Sequence, residues 1–499
     1  MNGIEVKSPA HLSQGRRLSF LMKDSILYGG AAAFSKATAL LTFPILTRHF
    51  SVEEYGIVDL FLVLSTLLTT AYIFGQDSAV ARYIYEYENV DERRQIISQS
   101  LFFQLGCLIF SVPIFIWAAD YFSKIAGLGD NVDTLLITVF LQLPFLLLVS
   151  FAQGLLKWTF KRKEYFIMSL GYGVLQGLLL VVGVFVLDIG IHGVLIVNLI
   201  ASAIFGALGV YYIRQWLTYP TGFSRLREMF PFAIPYGIIG ILGAVTPILE
   251  RYLTRELLGP EELGLYAAGS RIALLMGLLV GAFQTAWGPF SLAIHKQDDA
   301  IETYNRVLKA FSLGICIAVL LLGIVAQQAI QVLATDRYIG SMVVILPIAM
   351  AIAVQATSWI TEVGIGLSKR SSLNIIGFLV ATGTTIVSVN ILVPYLGLVG
   401  VALGVLVSYV ARAFVLSILA QRVYPLSWQY RGVIAVHALT MLVCSTALWM
   451  GSTFGQYSYT STLMIGLITI IVASWLILLN NTERKSIIML TRNTYKKKF

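Results

Sequence analysis

Apolar runs of about 20 residues, broken by short polar stretches holding Arg, Lys, Glu and Pro, recur from one end of the chain to the other. A helix needs about 20 mostly apolar residues to cross a hydrocarbon core of about 30 Å. By that measure the pattern predicts about fourteen spans, near residues 25–46, 55–75, 96–118, 134–156, 166–187, 193–213, 231–250, 264–286, 308–330, 339–360, 372–393, 397–419, 431–451 and 459–479. The connections are too short to fold as domains. The runs also lack the polar–apolar alternation of a membrane barrel. The predicted fold class is an all-α polytopic membrane protein.

Composition agrees: 57% of the residues are hydrophobic and 12% charged, against about 25% charged in soluble domains. When connections are assigned alternately to two sides, 27 of the 35 Lys and Arg fall on the side of both termini and five on the other. The remaining three, Lys36, Arg271 and Arg412, lie within spans. Such a bias predicts that both ends are cytoplasmic. The basic pI near 9.3 follows from this topology and from contact with anionic membrane lipids, so no nucleic-acid partner is expected. The first 24 residues are polar and basic, and no cleavable signal peptide is expected. Loop aromatics such as Trp158, Tyr165, Trp216, Tyr219 and Trp428 sit where interfacial belts are found.

Chemistry of the catalytic kind is not visible. Cys107, Cys316 and Cys444 lie singly in apolar runs, and the five histidines lack ligand spacing. Neither a metal site nor a cofactor is expected, and the chain does not read as an enzyme.

A polar sentence occurs twice. "FPILTRHFSVEEYG" (43–56) is echoed by "TPILERYLTRELLGPEELG" (246–264), with Pro44 matching Pro247 at an offset of 203. Gly75 and Gly281 close the second and eighth spans at an offset of 206, and "GIHGV" (190–194) matches "GLVGV" (397–401) at 207. Near-constant offsets at equivalent points in the helix order imply two six-helix lobes inserted in the same direction, a parallel repeat suited to rocking around a central site. The predicted organisation is an N-terminal segment (1–24), a first lobe (25–213), a basic linker (214–230), a second lobe (231–422), an extra helix pair (423–479) and a basic cytoplasmic tail (480–499).

Intramembrane charges are the candidate functional residues, because each costs about 2.5–3.5 kcal/mol or more at the bilayer centre unless it meets water or a partner. The opening hairpins of the two lobes hold Lys36, Arg48, Asp59, Glu250, Arg251 and Arg271. The balance is cationic. Lys36 and Arg271 read either as substrate-facing cations or as partners of Asp59 or Glu250. Arg48 and Arg251 also fit interfacial anchors, and Arg412 fits a cation snorkelling to the cytoplasmic side. The pairs in "GVLQG" (173–177) and "GVALG" (400–404) read as helix packing.

Alongside the first of the repeated sentences stand "GQDSAVARYIYEY" after span 2, "AFQTAWGPF" (282–290) leading into "KQDDAIETYNRV", and the late "YLGLVGVALG". As a set they make the chain similar, over nearly its whole length, to the Wzx-type flippases. These form the polysaccharide-transporter branch of the multidrug/oligosaccharidyl-lipid/polysaccharide (MOP) exporter superfamily. The resemblance implies a MATE-like fold of two six-helix lobes about a cavity that opens alternately to either side. It implies an undecaprenyl-diphosphate-linked oligosaccharide as substrate, moved across a bacterial inner membrane for O-antigen, capsule or exopolysaccharide assembly. A polysaccharide polymerase and glycosyltransferases are the implied partners. It also implies that lumenal cations, here Lys36, Arg48, Arg251 and Arg271, bind the diphosphate, with Asp59 or Glu250 as the coupling acid if an H⁺ or Na⁺ gradient rather than the membrane potential drives transport. A peptidoglycan-precursor flippase, a multidrug exporter and a membrane polymerase remain the alternatives.

Overall fold

The computed structural model describes residues 42–87, 89–121, 132–295, 297–368 and 370–478. Lys36 and most of the span expected at 25–46 lie outside them. Among the described residues there is no strand. Among the described residues twelve helices are long and apolar enough to cross a membrane, or thirteen if one bent pair is a single span. Each of the other thirteen expected spans coincides with one of these. The protein is a multi-pass helical membrane protein.

The chain divides into two compact units. The first reaches to Ala267 and takes in Asn374–Thr382; the second comprises Ala268–Leu373 and Gly383 onward. The first holds α1 (Val52–Ile73), α2 (Gln76–Tyr83), α3 (Val90–Trp117), α4 (Val132–Trp158), α5 (Arg162–Val186), α6 (Ile191–Ile213), α7 (Ser224–Leu258) and the start of α8 (Pro260–Ala273). Its core joins Phe61, Ile96, Val139, Leu143, Leu147 and Met229, all buried. Small residues bring α4 and α6 together: a Cβ on Gly209 would lie 2.8 Å from that of Ala152.

α7 starts seven residues earlier than expected and ends eight later. At 35 residues it is about 52 Å long, more than a hydrocarbon core, and it absorbs Pro231, Pro235 and Pro247. Its first turn is fastened to α3. The Gln99 side-chain oxygen accepts the N–H groups of Arg225 and Leu226 at 3.0 and 3.1 Å, and Arg225 meets Glu92 at 2.5 Å. Glu228 accepts from the Tyr87 hydroxyl at 2.6 Å. That hydrogen bond, with some desolvation, raises the phenol above its ordinary pKa. These bonds explain why α7 clusters with the unit that precedes it.

The second unit holds the rest of α8, then α9 (Met276–Ile294), α10 (Ala300–Ile324), α11 (Ala326–Leu333), α12 (Met342–Thr361), α13 (Val363–Leu367), most of α14 (Leu373–Leu396), α15 (Leu398–Val423), α16 (Tyr430–Phe454) and α17 (Gln456–Ile477). The expected span at 264–286 is bent by 43° between α8 and α9. There the hydrogen bonds tighten to three-residue spacing, with the N–H of Leu275, Gly277 and Leu278 reaching the carbonyls of Ile272, Leu274 and Leu275. The "GVALG" glycines pack α15 directly on α14: Cβ atoms on Gly400 and Gly404 would lie 2.7 Å from the Leu392 backbone and the Val389 side chain. Gly177 of "GVLQG" makes no such contact, the nearest atom being a Thr42 methyl at 4.0 Å.

Gly404→Ile is expected to lower stability by about 1–3 kcal/mol through overpacking against Val389. Gly383→Ala, in the interior of α14 with nothing within 4 Å of the added carbon, is expected to raise it by roughly 0.5–1 kcal/mol. Thermal unfolding of the two variants in detergent checks the pair.

Candidate functional site

The repeated sentence folds into two helix starts that touch. In the first copy Ser51 caps α1: its hydroxyl accepts the Glu54 N–H at 3.2 Å and the Glu54 carboxylate accepts the Ser51 N–H at 2.8 Å. In the second copy Pro260 opens α8, with Glu261 and Glu262 in its first turn, the N-terminal chemistry of proline and acids. Gly56 and Gly264, each closing its own copy, lie against one another. A Cβ on Gly56 would sit 2.7 Å from the Gly264 nitrogen, and one on Gly264 1.9 Å from the Val52 carbonyl oxygen. No side chain fits there.

Below this contact lies a buried charge cluster. Asp59 is seven residues into α1, and Arg251 seven residues from the end of α7, each about 10 Å from its helix end. The Arg251 guanidinium donates through Nε to Asp59 Oδ2 at 2.7 Å, and its Nη1 lies 3.8 Å from Glu250 Oε2. Glu250 accepts a hydrogen bond from the Tyr266 hydroxyl at 2.7 Å. Arg251 also donates to the Pro247 carbonyl at 3.2 Å and stands 5.8 Å from the Tyr266 ring centre. Asp59, Glu250 and Arg251 are all under 10% exposed. Among the described residues two carboxylates face one guanidinium, and the hydrogen bonds from Arg251 and Tyr266 offset the cost of burying these charges.

The structure thus brings together three of the expected site residues, Asp59, Glu250 and Arg251. Arg48 is exposed in the helical stretch 42–49, beside His49, whose Nε2 lies 3.6 Å from Asp188. Arg271 is half-buried on the part of α8 that belongs to the second unit. Arg412 does not snorkel. It is 3% exposed and turns to Glu362 at 3.5 Å, which in turn accepts from Ser358 at 2.7 Å. Sequence reasoning passed over Glu362, just beyond the expected end of a span, and Tyr266. Nothing in the sequence pattern marked either residue. A groove of about 770 Å³ runs beside this pair, with His437, Thr357, Ser417 and Gln421 among apolar walls.

The profile of a family described as polysaccharide biosynthesis protein matches residues 21–295, more than half of the 499 residues. No curated protein matches the chain in sequence. Among solved structures, the lipid II flippase MurJ in an inward closed conformation superposes with a TM-score of 0.71 at 13% identity, over 90% of this chain and 98% of that one. An inward-facing multidrug-resistance MATE transporter of the MOP superfamily gives 0.60 at 15% identity, over 78% and 94%. A MATE transporter of Vibrio cholerae gives 0.59 at 13%, over 81% and 97%. At such identities the likeness is one of fold.

Asp59→Leu or Arg251→Met alone is expected to cost about 3–5 kcal/mol by breaking a buried ion pair, and the two combined to cost less than the sum of the singles. A double-mutant cycle from thermal melts gives the coupling energy; additive losses would refute the pairing.

Proposed function

The chain belongs to the polysaccharide biosynthesis protein family, and from that membership we propose that it is an alternating-access flippase. Its substrate is an undecaprenyl-diphosphate-linked oligosaccharide, carried from the inner to the outer leaflet of a bacterial cytoplasmic membrane for O-antigen, capsule or exopolysaccharide synthesis. Both termini face the cytoplasm, where glycosyltransferases deliver the substrate, and a polymerase receives it outside. The observation that carries the reading is the extent of the family match: residues 21–295 enclose both copies of the repeated sentence and all four cations assigned to the diphosphate, Lys36, Arg48, Arg251 and Arg271. Guanidinium and ammonium groups in a low-dielectric cavity bind phosphate strongly. Neutralised by Asp59 in this conformation, Arg251 becomes available only when α1 and α7 part. The ion pair and the glycine contact then act together as the gate on that side of the membrane, within a first lobe (25–213) and second lobe (231–422) that rock about the site.

Two charges moving outward across 100 mV release about 4.6 kcal/mol, so the membrane potential suffices as a driving force. Asp59 or Glu250 is the protonatable candidate for a second, proton-linked input.

In vesicles holding labelled lipid-linked oligosaccharide, Lys36→Ala and Arg271→Ala are each expected to slow flipping by about ten-fold or more with normal membrane insertion. Unchanged flipping in both overturns the site assignment, and no flipping by the unsubstituted chain overturns the function. Collapsing the potential at constant pH gradient should slow transport. Glu250→Gln should flatten its pH dependence, and a dependence that survives removes Glu250 as the coupling acid.

A further inference from the structure

We propose that the first unit holds a binding site for one monovalent alkali cation of sodium's size at the break between α1 and α2, separate from the transport site. The site is a cavity of about 20 Å³ with Ile73, Asp77, Gln104, Ser150 and Trp158 in its wall. Those side chains come from four elements, α1 to α4. Asp59 of the charge cluster lies fourteen residues back along α1 from Ile73, about 21 Å along the helix axis.

The break gathers oxygen atoms. α1 stops at Ile73 because Phe74 and Gly75 take left-handed backbone, with φ of 42° and 71°. The Phe74 N–H returns to the Thr70 carbonyl, and the α1 carbonyls beyond it have no intrahelical partner. No basic residue stands in the last turn of α1, so the partial negative charge of that helix end is left without a cation from its own helix. Asp77, exposed in the first turn of α2, adds a full negative charge.

Gln104 is the second, independent observation. It is 1% exposed and lines the cavity, and its Oε1 has no hydrogen-bond partner among the described residues. An acceptor left unmet at such burial is costly. Its orientation is set from behind. Gln104 Nε2 donates to Ser100 Oγ at 3.1 Å, and the Ser100 hydroxyl donates to Gln76 Oε1 at 3.2 Å. That relay uses the amide nitrogen and leaves the oxygen to the cavity. Ser150 brings a hydroxyl from α4.

Carboxylate, amide carbonyl, hydroxyl and backbone carbonyl oxygens are the ligands of hard cations. One carboxylate balances one positive charge, and among the described residues no second acid lines the cavity, so a monovalent ion fits better than a divalent one. A volume of about 20 Å³ admits one water-sized occupant, which suits sodium better than the larger potassium. The ammonium of Lys157 on α4 interacts electrostatically with Asp77 but is held over the Trp158 ring, 4.4 Å from its centre. It leaves the carboxylate to the ion and repels that ion from the side. Bound there, the ion ties the end of α1 to α2, α3 and α4.

The full-length protein in a neutral detergent is titrated with sodium, potassium or choline chloride at constant ionic strength. The thermal unfolding midpoint is read, because it rises with occupancy of a native-state site. Sodium should raise the midpoint above that in choline, with half-saturation at a lower concentration than for potassium. Asp77→Asn should weaken sodium binding by about ten-fold or more, since a charge-assisted contact is lost, and Gln104→Leu should weaken it as well. Ser150→Ala, the mildest change, should weaken it by about two- to three-fold. Lys157→Gln should tighten it, a sign that lost packing alone does not produce. The control Asp298→Asn, an exposed carboxylate of the second unit, should leave it unchanged. Each affinity is read against choline within one variant, so a change in basal stability cancels. Equal midpoints in sodium and choline overturn the site and leave the cavity to a water. A sodium effect kept by both Asp77→Asn and Gln104→Leu, or lost equally in the control, overturns the location. Potassium that binds as well as sodium overturns the size assignment. No transported substrate enters the assay, so its outcome is independent of the flippase reading.

Discussion

A guanidinium in low dielectric must have an anion beside it, and in the first unit that requirement ties the start of α1 to the end of α7. Asp59 and Arg251 are 192 positions apart in sequence and 2.7 Å apart in space. Much of the surrounding geometry serves the pair. Pro247 offers its carbonyl to Arg251, Tyr266 holds the neighbouring Glu250, and the glycines above let the helix starts approach without an intervening side chain. Remove the charge partner and the helices have reason to separate. An attachment made from charge, in contrast to one made from apolar area, can be undone by another anion or by a proton.

Most of the architecture could be read from the sequence because the solvent is lipid. Each crossing must be a hydrogen-bonded helix of nearly fixed length, and the ruler of about 20 residues finds α4, α5, α14 and α16 within a few residues. It fails where a helix is not bounded by the membrane. α7 overruns both ends because Arg225 and the "RYLTRELL" turn are polar yet remain helical. The bend between α8 and α9 leaves no mark in hydropathy, since Leu274, Leu275 and Met276 are as apolar as any helix interior.

The candidate site was legible in its residue types and less so in its pairings. Duplication pointed to Asp59, Glu250 and Arg251, but whether a cation faces a cavity or an acid depends on side-chain direction, which periodicity does not give. Arg412 illustrates the limit. Its depth suggested escape to the membrane surface, whereas Glu362, placed by the sequence at a span end, reaches back along α12 to meet it. Lys309 is a sharper case: a basic residue near an expected span boundary reads as topology, and only the fold shows it 8% exposed.

The meeting of Gly56 with Gly264 also limits which changes either copy of the sentence tolerates. Two similar stretches set apart in a fold can vary separately, each within what its own surroundings allow. Here each copy is part of the other's surroundings, and a methyl group gained by either would collide with its sibling's backbone. A substitution at either glycine is therefore felt by both helix starts at once, and only a shift of one backbone away from the other makes room for it.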